Sequence, residues 1–124
     1  MPTSAELTAL SNTRNTNEFG ANNATNWKWE WQSDYKGSGH AGYLISYRAS
    51  TSNTTVTSTI FLPAAGNRYH TSVRSQGSAG QFRSSSLNED DPSRAWTLYF
   101  RSDDAGVSNV ARCYGYSVRA VCEE

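Results

Sequence analysis

The sequence predicts a small α+β domain: a short N-terminal helix, then antiparallel β-strands and long irregular loops. Three observations carry that prediction. Thr3-x-x-Glu6 is a capping-box pattern, and Ala5, Leu7, Ala9 and Leu10 follow it. Trp27-Lys28-Trp29-Glu30-Trp31 alternates strictly, which puts three indoles on one face of a strand. Ser, Thr, Asn and Gly fill much of the remainder, and these are turn and strand-edge residues. With 124 residues the chain has room for one domain, 1–124, and little more. Hydrophobic residues make up 36%, below the usual share, so large side chains must carry the core. Four Trp, seven Tyr and four Phe supply that bulk.

The elements follow in order. The capping box starts a helix at Ser4, expected to run to Asn12. Thr13–Asn26 is polar and aperiodic and reads as loop. In the strand Trp27–Trp31, three large aromatics on one face more often build a core than bind sugar, and they are read as structural. Gly37–Gly42 is a turn, and Tyr43–Tyr47 and Val56–Leu62 are strands joined through Ser50–Thr55. Asn67–Asp91 reads as one long loop, and loops of that length are usually functional or disordered. Ala95–Arg101 alternates again, with Trp96, Leu98 and Phe100 expected inward and Thr97, Tyr99 and Arg101 outward. Asp103-Asp104-Ala105-Gly106 is a turn, and Val107–Tyr114 and Ser117–Cys122 are the last strands.

Charge excludes some partners. Eleven basic residues balance eleven acidic ones, so the total carries no footprint for nucleic acid or an anionic membrane. No apolar run is long enough to span a bilayer, and direct membrane insertion is not expected. Met1 followed by Pro-Thr-Ser reads as a domain cut from a longer protein. Nine of the basic residues are Arg, and seven of those lie from Arg68 onward. Arg is enriched at interfaces because its planar fork both pairs and stacks, but it also salt-bridges nearby acids. Composition leaves the two readings equal. Cys113, Cys122, His40 and His70 lack zinc-ligand spacing.

Several strings together resemble one bacterial family. Pro2-Thr3-Ser4-Ala5-Glu6-Leu7 resembles an "LPT-x-x-E" opening. Trp27-x-Trp29, Ile60-Phe61-Leu62-Pro63-Ala64-Ala65-Gly66, Ser84-Ser85-Ser86, Ala95-Trp96-x-Leu98-x-Phe100 and Gly115–Cys122 follow in the family's order. The chain resembles the Fibrobacter succinogenes-type major paralogous domain. That resemblance implies a C-type-lectin-like fold, also related to formylglycine-generating enzymes. It implies an extracellular, cell-surface or virion-surface setting, in adhesins and phage-borne receptors of Bacteroidetes. It implies a link to diversity-generating retroelements, which rewrite exposed residues on a ligand face. The chain departs from the pattern at Arg83, where the family has Trp, at Ala120, where it has Pro, and at Asn67-Arg68-Tyr69. Arg83 in place of an aromatic either opens a gap in the core or becomes a ligand contact, and the second is preferred. Cys113 falls at an exposed, changeable position of the family pattern, so two free thiols are expected rather than a bridge, which needs Cα atoms within ~7 Å.

Chemistry is weighed against plainer readings. Ser84–Ser86 lacks a G-x-S-x-G elbow, and serines in a turn commonly satisfy their own backbone. No catalytic residue, metal ligand or cofactor is assigned, and an enzyme is not expected. The formylglycine-generating reading needs a paired-cysteine site that the sequence does not match. Glu89-Asp90-Asp91 and Asp103-Asp104 are loop acids, but the calcium-lectin signatures E-P-N, Q-P-D and W-N-D are absent. The expected ligand surface is the C-terminal face. It comprises Thr97, Tyr99 and Arg101; Asn109, Ala111 and Cys113 across the turn; Tyr114 and Tyr116; and Tyr69, Arg74, Gln81 and Arg83 from the long loop. Tyr and Arg among small polar residues is paratope chemistry. The expected function is a ligand-binding display domain for a cell-surface protein or glycan. The alternative is a carbohydrate-binding module, with or without calcium.

Overall fold

The fold is given by a computed structural model, which describes residues 1–14, 26–50, 52 and 55–119. The expected loop Thr13–Asn26, part of the Ser50–Thr55 turn and the end of the Ser117–Cys122 strand, with Cys122, lie largely outside the described residues.

Helix α1 (Ser4–Asn12) forms where the capping box directs it. Glu6 N–H donates to Thr3 Oγ1 at 3.2 Å, and Thr3 N–H donates to Glu6 Oε2 at 2.7 Å. Two otherwise unpaired N–H groups are satisfied reciprocally. At the other end Thr13 Oγ1 donates to Leu10 O at 2.7 Å and accepts from Trp29 Nε1 at 3.0 Å. The helix stop and the first strand are therefore tied through one hydroxyl.

Strands β1 (Trp27–Gln32), β2 (Gly42–Tyr47) and β3 (Ser58–Pro63) form an antiparallel meander. Trp29 and Ile45 face each other in its register and are both buried. Trp27 and Trp31 are half-buried against the same core, so the indole row is structural. Tyr43 meets Trp29 at 5.2 Å, Trp31 at 5.1 Å and Phe100 at 5.9 Å between ring centroids, all edge-on. Edge-to-face contact is the favourable arrangement for aromatic quadrupoles. The Phe100 contact joins this sheet to a second one.

The second sheet is β6 (Ala79–Leu87), β7 (Arg94–Arg101) and β8 (Asp104–Ala111), again an antiparallel meander. α1 packs across it, with Leu7 joining Phe82, Leu98 and Phe100 in the core. A Cβ on Gly80 would fall into the Phe100 ring, so the missing side chain lets that ring lie over β6. A short hairpin, β4 (Asn67–Tyr69) and β5 (Ser72–Arg74), turns at His70, whose φ is 53°.

The α+β, C-type-lectin-like expectation is overturned. Strands account for 50% of the structure, in three antiparallel sheets, with one short helix. The physical reason lies in Asn67–Asp91. Its polar, serine-rich composition hides three strands, because cross-strand pairing and one buried face, carried by Gly80, Phe82 and Ser84, made β6. The last full strand, β8, begins at Asp104 and ends at Ala111, earlier than the expected Val107–Tyr114.

Candidate functional site

Two isolated bridges decide where the tyrosines go. Arg68 and Gly115 exchange both backbone hydrogen bonds, each at 2.8 Å. Ser117 bridges Phe82 in parallel, with Arg83 N–H donating to Ser117 O at 2.9 Å and Ser117 N–H to Gln81 O at 3.1 Å. The segment 114–117 thus lies between β4 and β6 and stitches the hairpin to the second sheet. Antiparallel pairing at Gly115 sets Tyr114 opposite Tyr69, and alternation puts Tyr116 on the same side as Tyr114.

The result is a continuous stack. Tyr69 and Tyr114 stack with centroids 4.8 Å apart, and Tyr114 and Tyr116 at 5.8 Å. An Arg closes each end: Arg74 lies 4.6 Å from the Tyr69 ring centre and Arg83 4.9 Å from that of Tyr116. Arg74 reaches Tyr69 because it stands diagonally across the hairpin, two residues beyond the directly paired Ser72. Arg83 Nη2 also donates to Tyr114 O at 2.9 Å, locking the ladder to β6. His70 touches Tyr69 edge-on at 4.2 Å. The three tyrosines are half-buried, so each keeps a surface toward solvent. Burial raises the Tyr116 hydroxyl above the ordinary tyrosine range, against the opposing pull of Arg83. The hydroxyl stays protonated at neutral pH and can donate.

Beside the ladder lies a pocket of about 260 Å³ on the outer face of β6–β8. Gln81, Thr97, Tyr99, Arg101, Ser108, Val110 and Tyr116 line it, with Ala79 and Phe100. Cross-strand register explains the grouping: Gln81 pairs with Tyr99, and Thr97 with both Arg83 and Ser108. Tyr99 donates its hydroxyl to Asp104 Oδ2 at 3.2 Å, and that bond is the main reason its proton is held more tightly than usual. Thr97 was expected to face solvent, but it is only 1% exposed and forms the pocket floor. Its Oγ1 has no hydrogen-bond partner, and neither does the buried Arg83 Nη1.

The fold brings together Tyr69, Arg74, Gln81, Arg83, Thr97, Tyr99, Arg101, Tyr114 and Tyr116. It does not bring Asn109 or Ala111 to them. Asn109 pairs with Trp96 and Ala111 with Arg94, so both lie on the face that carries α1. Trp96 itself was expected in the core and instead stands half-buried beside Ser4, Ala5 and Thr8 of α1. Cys113 is exposed and free in the turn after β8. Ser108 and Val110 were missed as surface residues. The signal that could have found them is the tight turn Ser102-Asp103, which pairs Arg101 with Asp104 and fixes the phase of β8.

The question left open by composition is answered for the described residues. Among them one ion pair occurs, Lys28–Glu30 at 3.5 Å, and it involves none of the seven C-terminal arginines. Five of the seven stack on tyrosine or donate to carbonyls instead: Arg74 and Arg83 on rings, Arg94 to Asn109 O, Arg112 to Pro92 O and Arg119 to Phe61 O. No group of three or more His, Cys, Asp or Glu able to hold a metal occurs among the described residues. No helix there is long and apolar enough to cross a membrane.

A family model described as a domain of unknown function (DUF8237) matches residues 45–121. That span includes β3 to β8 and the whole tyrosine ladder. No curated protein and no solved structure matches the chain, so no C-type lectin stands beside it.

Proposed function

We propose, on the premise that the chain belongs to the DUF8237 family of domains of unknown function, that it is a non-catalytic ligand-binding module displayed by a bacterial surface or phage-borne protein. The observation that carries this reading is the stack Arg74–Tyr69–Tyr114–Tyr116–Arg83. Tyrosine offers large amphipathic area at little conformational cost, and arginine adds donors that pair with carboxylates and carbonyls. Here the rings are held in register by strand bridges before any ligand arrives, so little ordering is left to oppose binding. Mechanism in this reading is surface complementarity, with no chemistry done on the ligand.

The pocket beside the ladder supports a carbohydrate as that ligand. Aromatic walls from Tyr99 and Tyr116, with hydroxyl and amide groups from Ser108 and Gln81, suit a ring edged with hydroxyls. The surface setting rests on the resemblance to the paralogous-domain family, as does the reading that the face varies between gene copies. For the latter, neighbouring DNA should hold a reverse transcriptase and a near-copy of the segment encoding roughly 66–122, differing at adenines.

Tyr114 sits at the centre of the stack. Substitution Tyr114→Ala should weaken binding to whichever glycan or cell-surface ligand the wild type captures from an array by at least tenfold, about 1.4 kcal/mol. The thermal melt should shift little. Undiminished binding by that variant would remove the ladder from the site.

A further inference from the structure

We infer that the outer edge of β5 is a second interaction surface, which takes an extended acidic peptide segment as an added strand; it lies beyond the ladder and does not depend on the ligand proposed for the pocket. Backbone geometry leaves this edge open. Arg68 exchanges both of its backbone hydrogen bonds with Gly115. Its N–H and C=O therefore point away from β5, and Arg68 and Val73 form a non-hydrogen-bonded pair of the hairpin. The N–H and C=O of Val73 must then point outward, away from β4. No backbone group among the described residues pairs with either. All three residues of β5 are exposed, and Val73 keeps 56% of its surface open.

Charge selects the occupant. No Asp or Glu occurs between Asp34 and Glu89, and none between Asp104 and Glu123. The hairpin, the segment 114–117 and β6 all fall within these stretches, so they carry no carboxylate of their own, while Arg68, Arg74 and Arg83 are all present. The Arg74 guanidinium lies on the Tyr69 ring and joins no ion pair among the described residues. A second copy of this chain fits the edge less well. Pairing β5 with itself about Val73 would set two Arg74 side chains on one face within diagonal reach, and like charges so placed are destabilising. Charged edge residues are a device that sheets use against such self-pairing. An acidic peptide answers both features at once, with its backbone on Val73 and its charge on Arg74.

Period two fixes the side chains of the added strand. Its residue opposite Val73 shares the exposed face of Val73 and should be apolar. The two residues flanking it share the face of Ser72 and Arg74, where a carboxylate meets the open edge of the guanidinium fork. Main-chain bonds then hold the strand, while alternate side chains select it.

A blocked peptide that alternates Asp and Val tests this, against the same peptide with Lys for each Asp. In fluorescence anisotropy the Asp peptide should bind at least roughly tenfold tighter than the Lys peptide. Added salt should weaken it. Amide exchange at Val73 should slow in the complex. Val73→Pro removes the outward N–H at an edge position where proline breaks no ladder bond, so the fold should persist and the peptide be lost. Arg74→Glu should turn the preference toward the Lys peptide, whether or not the proline variant folds. Equal affinity for the two peptides, unchanged exchange at Val73, or a wild-type preference in Arg74→Glu would overturn the inference. So would a wild type that dimerises in sedimentation through an edge that Val73→Pro blocks. If the wild type ignores the Asp peptide yet captures another ligand through Tyr114, this inference falls and the binding reading stands. If Tyr114→Ala loses no ligand but the Asp peptide still binds at Val73, the ladder reading falls and this one stands.

Discussion

Thr3 and Glu6 show how much one residue pair can settle. The capping box was readable directly, because both partners lie within one helical turn and need no tertiary help. Replacing Thr3 with Ala should destabilise the fold by about 1 kcal/mol, measured by denaturant titration. The two bonds from Thr3 also hold the Glu6 carboxyl below its ordinary value of 4.5. A depressed carboxylate contributes stability above its unfolded-state pKa, and loses it as pH falls through the folded value. Glu6→Gln should therefore melt below wild type at pH 7, and the gap should close as the pH drops below about 4.5. A gap that persists at pH 2 would contradict the assignment. Arg83 lies at the other extreme. Its residue type marked it as a departure from the paralogous-domain pattern. Its partners, Tyr116 and Tyr114 O, come from far along the chain and were invisible to local reading.

Among the elements, β7 and β8 show where alternation succeeds and where it fails. Leu98 and Phe100 are in the core as period two demands. On β8 the expected outward set, Asn109 and Ala111, is one residue out of phase with the observed set, Ser108 and Val110. A one-residue slip sends every side chain to the other face. The difference arises at the turn, because the chain reverses through Ser102 and Asp103 and not across Asp103–Gly106. Asn67–Asp91 failed for a different reason. Its strands gain stability from partners far along the chain, and its composition is that of a turn. Within β6, Gly80 leaves the space that Phe100 fills. Gly80→Ala should overpack that contact and cost about 1–3 kcal/mol in denaturant titration. A neutral result would mean that the ring is free to move aside.

Across the whole molecule, two sheets and α1 share one core, while the ligand face hangs from a narrower support. The ladder segment is tied to β4 and β6 by only a few backbone bonds, at Gly115 and Ser117. Elements with few buried contacts open at lower free energy than core strands. Tyr69→Ala removes one ring of the stack, so amide exchange at Gly115 should quicken markedly while that at Leu98, in the middle of β7, stays unchanged. Equal acceleration at both sites would mean that the ladder and the core unfold as one unit.

The sequence by itself determined what depends on neighbours in the chain: the capped helix, the Trp strand, the alternation of β7, and a Tyr- and Arg-rich C-terminal half. These follow from bond geometry and side-chain periodicity over a few residues. Tertiary structure alone decided the class of the fold, the phase of β8 and the burial of Thr97. It also decided the stacking of Tyr69 on Tyr114, two residues 45 positions apart. The reason is that register is a property of a pair of strands. Which face a residue presents depends on the turn that joins its strand to the next, and which rings meet depends on backbone bonds made between distant segments.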